Sequence, residues 1–163
     1  MQHLWAPWRR EFTKGPRPEG CFFCAAAAAA PAEDADHLVL ARTDLAMAIL
    51  NRYPYNNGHL MVAPRAHLAN LEELHADAAS AVMALTQRAL RVLRQVLSPH
   101  AFNLGINGGR VAGAGVADHV HQHVVPRWDG DTNFMPILAD TKILNESLTT
   151  SYRELRAGFD RMP

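Results

Sequence analysis

The chain has 163 residues, of which 48% are hydrophobic and 20% charged, the size and composition of one globular domain with a substantial core. Sixteen basic side chains balance sixteen acidic ones, so no overall field favours nucleic acid or an anionic membrane, and a compact anion would need local backbone amides and a few cations. The longest near-uniform apolar run, residues 21–31, is too short and alanine-rich to span a bilayer.

Residues 1–20 read as an irregular, tryptophan-rich extension whose Trp5 and Trp8 pack on the domain. Pro7 and two arginines stand where a secretory segment needs an apolar core, so a cytoplasmic protein is expected. The only cysteines are Cys21 and Cys24, in "CFFC". In a reducing compartment such a pair is more often a metal half-site or a redox couple than a structural disulfide. A redox couple wants a strand before it, and "TKGPRPEG" is a loop, so the metal half-site is the better reading.

Ala25 to Ala30 reads as a spacer or short helical turn. Strands are expected at 37–42 and 45–50, joined at Thr43-Asp44, and at 59–64 after the turn-rich "NRYPYNNG". Residues 76–97 carry Ala78, Val82, Leu85, Ala89, Val92 and Val96 at spacings of three and four. That is one helix, stopped by Ser98-Pro99. A fourth strand (101–107), a glycine-rich loop (108–115), a fifth strand (119–125) and a second helix at roughly 140–157 complete the chain. Short-looped strands around one long helix, without linker or repeat, predict a single antiparallel α+β domain over residues 1–163.

The fifth strand contains "HVHQHVV". Alternation puts His119, His121 and His123 on one face. A lone histidine is usually a satisfied core residue, but three in register each need partners for two nitrogens. A straight strand chelates one metal poorly, because its outer two residues lie roughly 6–7 Å apart in rise against bonds of about 2 Å. The central ring is better placed as the working group. A histidine can attack phosphorus and hold a covalent intermediate. The preceding "NGGRVAGAG" offers amides that could approach a phosphate closely.

With these residues the sequence resembles the histidine triad family of nucleotide hydrolases and transferases. His119 to Val125 matches its His-x-His-x-His signature followed by two apolar residues. "NRYPYNNGHLMVAPRAH" looks like its nucleoside-binding segment and "NLGINGGRVAGAG" like its phosphate loop. "LWAPWR" and "PRWDGDTNFMP" resemble the branch of diadenosine tetraphosphate phosphorylases, also called ATP adenylyltransferases. The resemblance implies that His121 attacks the α-phosphorus, that His123 binds phosphate or the leaving oxygen, and that His59 supports them. It also implies that Asn51 reaches the ribose, that Asn107, Gly108, Gly113 and Gly115 serve the phosphate, and that Trp128 flanks polyphosphate or base. It supplies a structural zinc on Cys21, Cys24, His67 and His119, a closed tetrahedral Cys2His2 set. A homodimer that extends the sheet is the family's usual assembly.

One position departs from the branch. Where its phosphate loop commonly carries Gly-Gly-Ser, this chain has Gly113-Ala114-Gly115, so one hydroxyl donor for an incoming phosphate is lost. Phosphorolysis of diadenosine tetraphosphate to ADP and ATP is expected. Hydrolysis of dinucleoside polyphosphates or nucleoside phosphoramidates is the alternative, and a nucleotide-binding interaction protein with incidental catalysis a third reading.

Overall fold

The computed structural model describes residues 20–132, 144 and 146–162. The expectations for Trp5, Trp8, the "LWAPWR" segment and residues 133–143 lie outside them.

The long helix forms over the residues that the periodicity predicts. It runs Ala76–Leu97 and ends where Ser98 takes a left-handed backbone, φ 48°. With helix α1 at Phe22–Ala28, this is α2, and α3 spans Leu148–Arg161, later than the 140–157 expected. The strands are β1 Val39–Arg42, β2 Ala46–Leu50, β3 Leu60–Pro64, β4 Ala101–Ile106 and β5 Gln122–Arg127. They make one sheet in the order β1-β2-β3-β5-β4, with every pairing antiparallel. The α+β class is as expected.

Period-two alternation sorts the strands onto two cores. Ala46, Ala48 and Leu50 of β2, Leu60 and Val62 of β3, and Val124 of β5 face α2 and α3 and pack with Leu85, Val92, Leu93, Leu155 and Phe159. Met47 and Ile49 of β2 and Met61 and Ala63 of β3 face the other way, against Phe23 and Ala26 of α1. Helices therefore cover both faces, and β2 and β3 are buried at every position.

Two glycines are required by close approach. A Cβ on Gly58, at φ +71°, would stand 2.4 Å from Leu97 Cδ1, and one on Gly158 would stand 2.8 Å from both Val92 Cγ1 and Val96 Cγ2. The second lets α3 lie directly on α2.

Two strand boundaries differ from the sequence reading. β1 begins at Val39 because Leu38 takes φ 58°, outside extended geometry. β5 begins at Gln122, so His119 and His121 precede the strand. The cause is local. Val120 N–H donates to the Leu68 carbonyl at 2.7 Å, and the β3–β5 ladder stops at Val62↔Gln122. The segment that carries His119 and His121 is thus held by single bonds outside the ladder.

Candidate active site

A cleft of about 790 Å³ opens on the α1 face of the sheet. Its walls come from the start of α1, residues 36–38, the end of β2 with the loop after it, and residues 110–118, and His121 and His123 lie among its lining residues. Asn51, Gly113 and Gly115 line it as the sequence suggested; Asn107, Gly108 and Trp128 do not. The Gly113 N–H donates to the Arg110 carbonyl at 3.0 Å, which closes a turn within the glycine loop. Trp128 is half-buried, and its backbone N–H donates to Asp131.

The fixed backbone partners decide which nitrogen of each ring carries the proton, because a carbonyl only accepts and an amide N–H only donates. His121 Nδ1 lies 2.8 Å from the His119 carbonyl. It must donate, which leaves the Nε2 lone pair unprotonated. His59, fully buried, receives the Tyr55 N–H on Nδ1 at 3.0 Å. Its proton therefore sits on Nε2, 3.0 Å from His123 Nδ1. His123 accepts there and carries its own proton on Nε2. The pair presents one nucleophilic nitrogen and one N–H donor on rings whose centroids are 4.9 Å apart.

Burial holds His121 below the ordinary imidazole pKa, since desolvation penalises the charged ring; the bond to the His119 carbonyl works the other way. His121 is 5% exposed and packs on Phe23, with ring centroids 5.0 Å apart. A neutral, packed ring is what nucleophilic use requires. Tyr55 stacks on His59 at 4.6 Å, and the Asn51 side-chain amide lies 3.4 Å from the same ring.

A second cluster adjoins the first. The ligand atoms of Cys21, Cys24, His67 and His119 all lie within 4.8 Å of one another. Cys24 Sγ is 3.1 Å from His67 Nδ1, and His119 Nδ1 is 3.4 Å from Cys21 Sγ and 3.7 Å from Cys24 Sγ. Metal–sulfur and metal–nitrogen bonds of about 2.3 and 2.1 Å at a tetrahedral angle separate the two ligand atoms by about 3.6 Å. The observed spacings match that. His119 Nε2 donates to the Pro64 carbonyl at 2.9 Å, which fixes the ring so that its Nδ1 lone pair faces the thiols. Burial, then the neighbouring Cys21, push the Cys24 thiol above its ordinary value, and burial lowers His119.

Several residues of the site were not singled out in the sequence. Phe23 backs His121, Tyr55 fixes the tautomer of His59, and Arg110 lines the cleft from the glycine loop. Asn56 bonds the Pro126 carbonyl and Asp131, anchoring the loop that holds Tyr55 to the end of β5. Their only sequence signal was proximity to the loops and cysteines already singled out.

Comparison with known proteins gives the family and the fold. The HIT domain family matches residues 32–130. The chain belongs to the histidine triad family. A Mycobacterium tuberculosis protein named AP-4-A phosphorylase is 40% identical over 169 aligned positions, covering all of this chain and 87% of its own. A Schizosaccharomyces pombe protein named bis(5'-nucleosyl)-tetraphosphatase (asymmetrical) is 31% identical over 77% of this chain and 70% of its own. The crystal structure of a Zn-bound histidine triad family protein from Mycobacterium smegmatis superposes with a TM-score of 0.67 at 27% identity, covering 87% of this chain and 94% of its own.

Proposed function

We propose that the chain is a nucleotidyltransferase that cleaves dinucleoside polyphosphates through a covalent nucleotidyl-histidine, with diadenosine tetraphosphate and inorganic phosphate giving ADP and ATP. The observation that carries this reading is the opposed protonation of His121 and His123 at one cleft. His121 Nε2 attacks the α-phosphorus, the bond to the β-side bridging oxygen breaks, and ATP leaves. His123 Nε2–H donates to the oxygen on which charge develops. Phosphate oxygen then attacks the adenylyl phosphorus, the P–N bond breaks, and ADP leaves with His121 restored.

Phosphate must be held by several donors to compete with water. The missing hydroxyl at 115 removes one of them, a loss of roughly 1 kcal/mol. Arg110 supports the phosphorolytic outcome, because a guanidinium at the cleft wall can bind a dianion bidentately. The likeness to the AP-4-A phosphorylase runs the length of this chain and points the same way. Product analysis with and without inorganic phosphate tests the choice: ADP and ATP are expected with phosphate, and AMP with ATP at saturating phosphate would make the chain a hydrolase.

Zinc on Cys21, Cys24, His67 and His119 is part of the proposal. Four protein ligands leave no open position, so the ion would join α1 and the His67 loop to the histidine segment and supply rigidity. Reduced thiols in such a site suit a cytoplasmic enzyme. The assembly we propose is a homodimer through β4. That strand is the free edge of the described sheet beside β5 and exposes Leu104 (47%) and Ile106 (37%). Among the described residues no helix is long and apolar enough to cross a membrane.

A further inference from the structure

Behind the histidines, on the helix face of the sheet, lies a polar contact in otherwise apolar surroundings. Thr86 of α2 is 1% exposed, and its hydroxyl oxygen stands 3.0 Å from the side-chain amide of Gln122. Val82, Leu85 and Ala89 of the same helix and Val62 and Val124 of the sheet belong to the apolar core on this face. The hydroxyl has one proton, which the Val82 carbonyl takes at 2.8 Å. The Gln122 amide then turns an N–H toward Thr86 Oγ1, since the two ends of that amide are interchangeable in shape.

Gln122 stands at a decisive place. It separates His121 from His123, and it is the first residue of β5. Both ladders end there, at Val62↔Gln122 on one side and Ile106↔Gln122 on the other. Upstream, the backbone is held by the Val120–Leu68 bond and by side chains alone. A strand end without further ladder partners frays unless something else fixes it. A buried polar group, costly to leave unmatched, accepts only one register, whereas an apolar side chain would tolerate several.

We propose that Thr86 and Gln122 are positioning residues. Their contact pins the first residue of β5 from the helix side, and so fixes the aim of His121 and His123 on the opposite face. The roles of those two rings rest on the function proposed above. Small displacements of reacting groups cost much, about a hundredfold in rate for roughly 1 Å. The contact therefore acts on turnover more than on substrate binding.

Four forms test this: the full chain, Thr86→Val, Thr86→Ser, and the double variant Thr86→Val with Gln122→Leu. Thr86→Val should lower kcat with diadenosine tetraphosphate by about ten- to a hundredfold, with KM unchanged. Thr86→Ser, which keeps the hydroxyl, should restore most of the rate. The double variant replaces both partners by apolar groups and should regain the parent's melting temperature but not its kcat. Histidine-ring 15N NMR gives a readout that needs no activity. In the parent, His121 should be protonated on Nδ1 and His123 on Nε2, each as one tautomer, and Thr86→Val should mix them. Parent-like kcat in Thr86→Val, or a double variant that regains both melting temperature and kcat, would overturn the proposal. So would ring spectra unchanged by Thr86→Val. A parent that leaves the dinucleotide uncleaved would count against the proposed reaction, and the ring spectra would still decide the positioning role.

Discussion

His59 Nε2 lies 3.0 Å from His123 Nδ1, and the Tyr55 N–H on the far side of His59 settles which of the two rings donates. A backbone amide thus sets the protonation of a side chain two bonds away from it. The relay leaves His123 with its proton on Nε2.

Replacing His59 breaks the relay without touching His121. His59→Ala removes the Nε2 donor to His123, so His123 no longer has a preferred tautomer. We expect kcat to fall about a hundredfold, the size of a lost acid–base contribution, while KM changes little. Steady-state kinetics on the purified variant check this, with thermal melting to show that the buried cavity left by the ring has not unfolded the chain.

Metal content follows from the cysteine–histidine cluster. Protein purified without chelators should carry about one zinc per chain. Cys24→Ser or prolonged chelation should lower the melting temperature, because binding free energy in a closed site is folding free energy. Elemental analysis and calorimetry read the two effects separately.

Acid stability should depend on Asp131. Arg127 beside it, the Trp128 N–H and Asn56 hold its carboxyl down from 3.8 to about 2, against an opposing effect of burial. A depressed carboxylate stabilises the fold fully above its unfolded value and loses that contribution as pH falls through the folded one. The loss should therefore fall between pH 3.8 and about 2. Asp131→Asn should cost about 2 kcal/mol at neutral pH, and much less at the acid end of that window. Urea unfolding of parent and variant at several pH values measures the difference.

Gly158→Ala sets two effects against each other. Alanine gains about 1 kcal/mol of helix propensity over glycine. The new methyl meets Val92 and Val96 at 2.8 Å, and branched side chains on a helix have little room to turn. Overpacking costs about 1–3 kcal/mol, so the net should be a loss. Chemical denaturation decides the sign.

What the sequence showed and hid can be traced to particular residues. The apolar period from Ala78 to Val96 marked α2 because one face of that helix is buried along its length. His119, His121 and His123 were legible because few other uses put so many imidazoles together, whereas His59 came only through the family resemblance. The start of β5 was not, since the alternation of His119 to Val125 continues past the point where the ladder stops. Leu38 looks like a strand residue and takes φ 58°. Phe23 and Thr86 act through contacts with residues distant in sequence, which no local pattern encodes, and Tyr55 acts through its backbone N–H on His59, which its side-chain identity does not announce. The cysteine pair suggested a metal half-site by itself, but His67 and His119 came to it only through the family resemblance, and the geometry now brings all four together.

The central claim is that His121 Nε2 carries the nucleotidyl group. The most direct measurement is rapid quenching of the enzyme during turnover of diadenosine tetraphosphate in the absence of phosphate, followed by intact mass and peptide mapping at alkaline pH, where a phosphorus–nitrogen bond to imidazole survives. One added adenylyl group located on His121, absent from His121→Ala, is the expected result. An adduct on another residue, or parent-like turnover by His121→Ala, would contradict it.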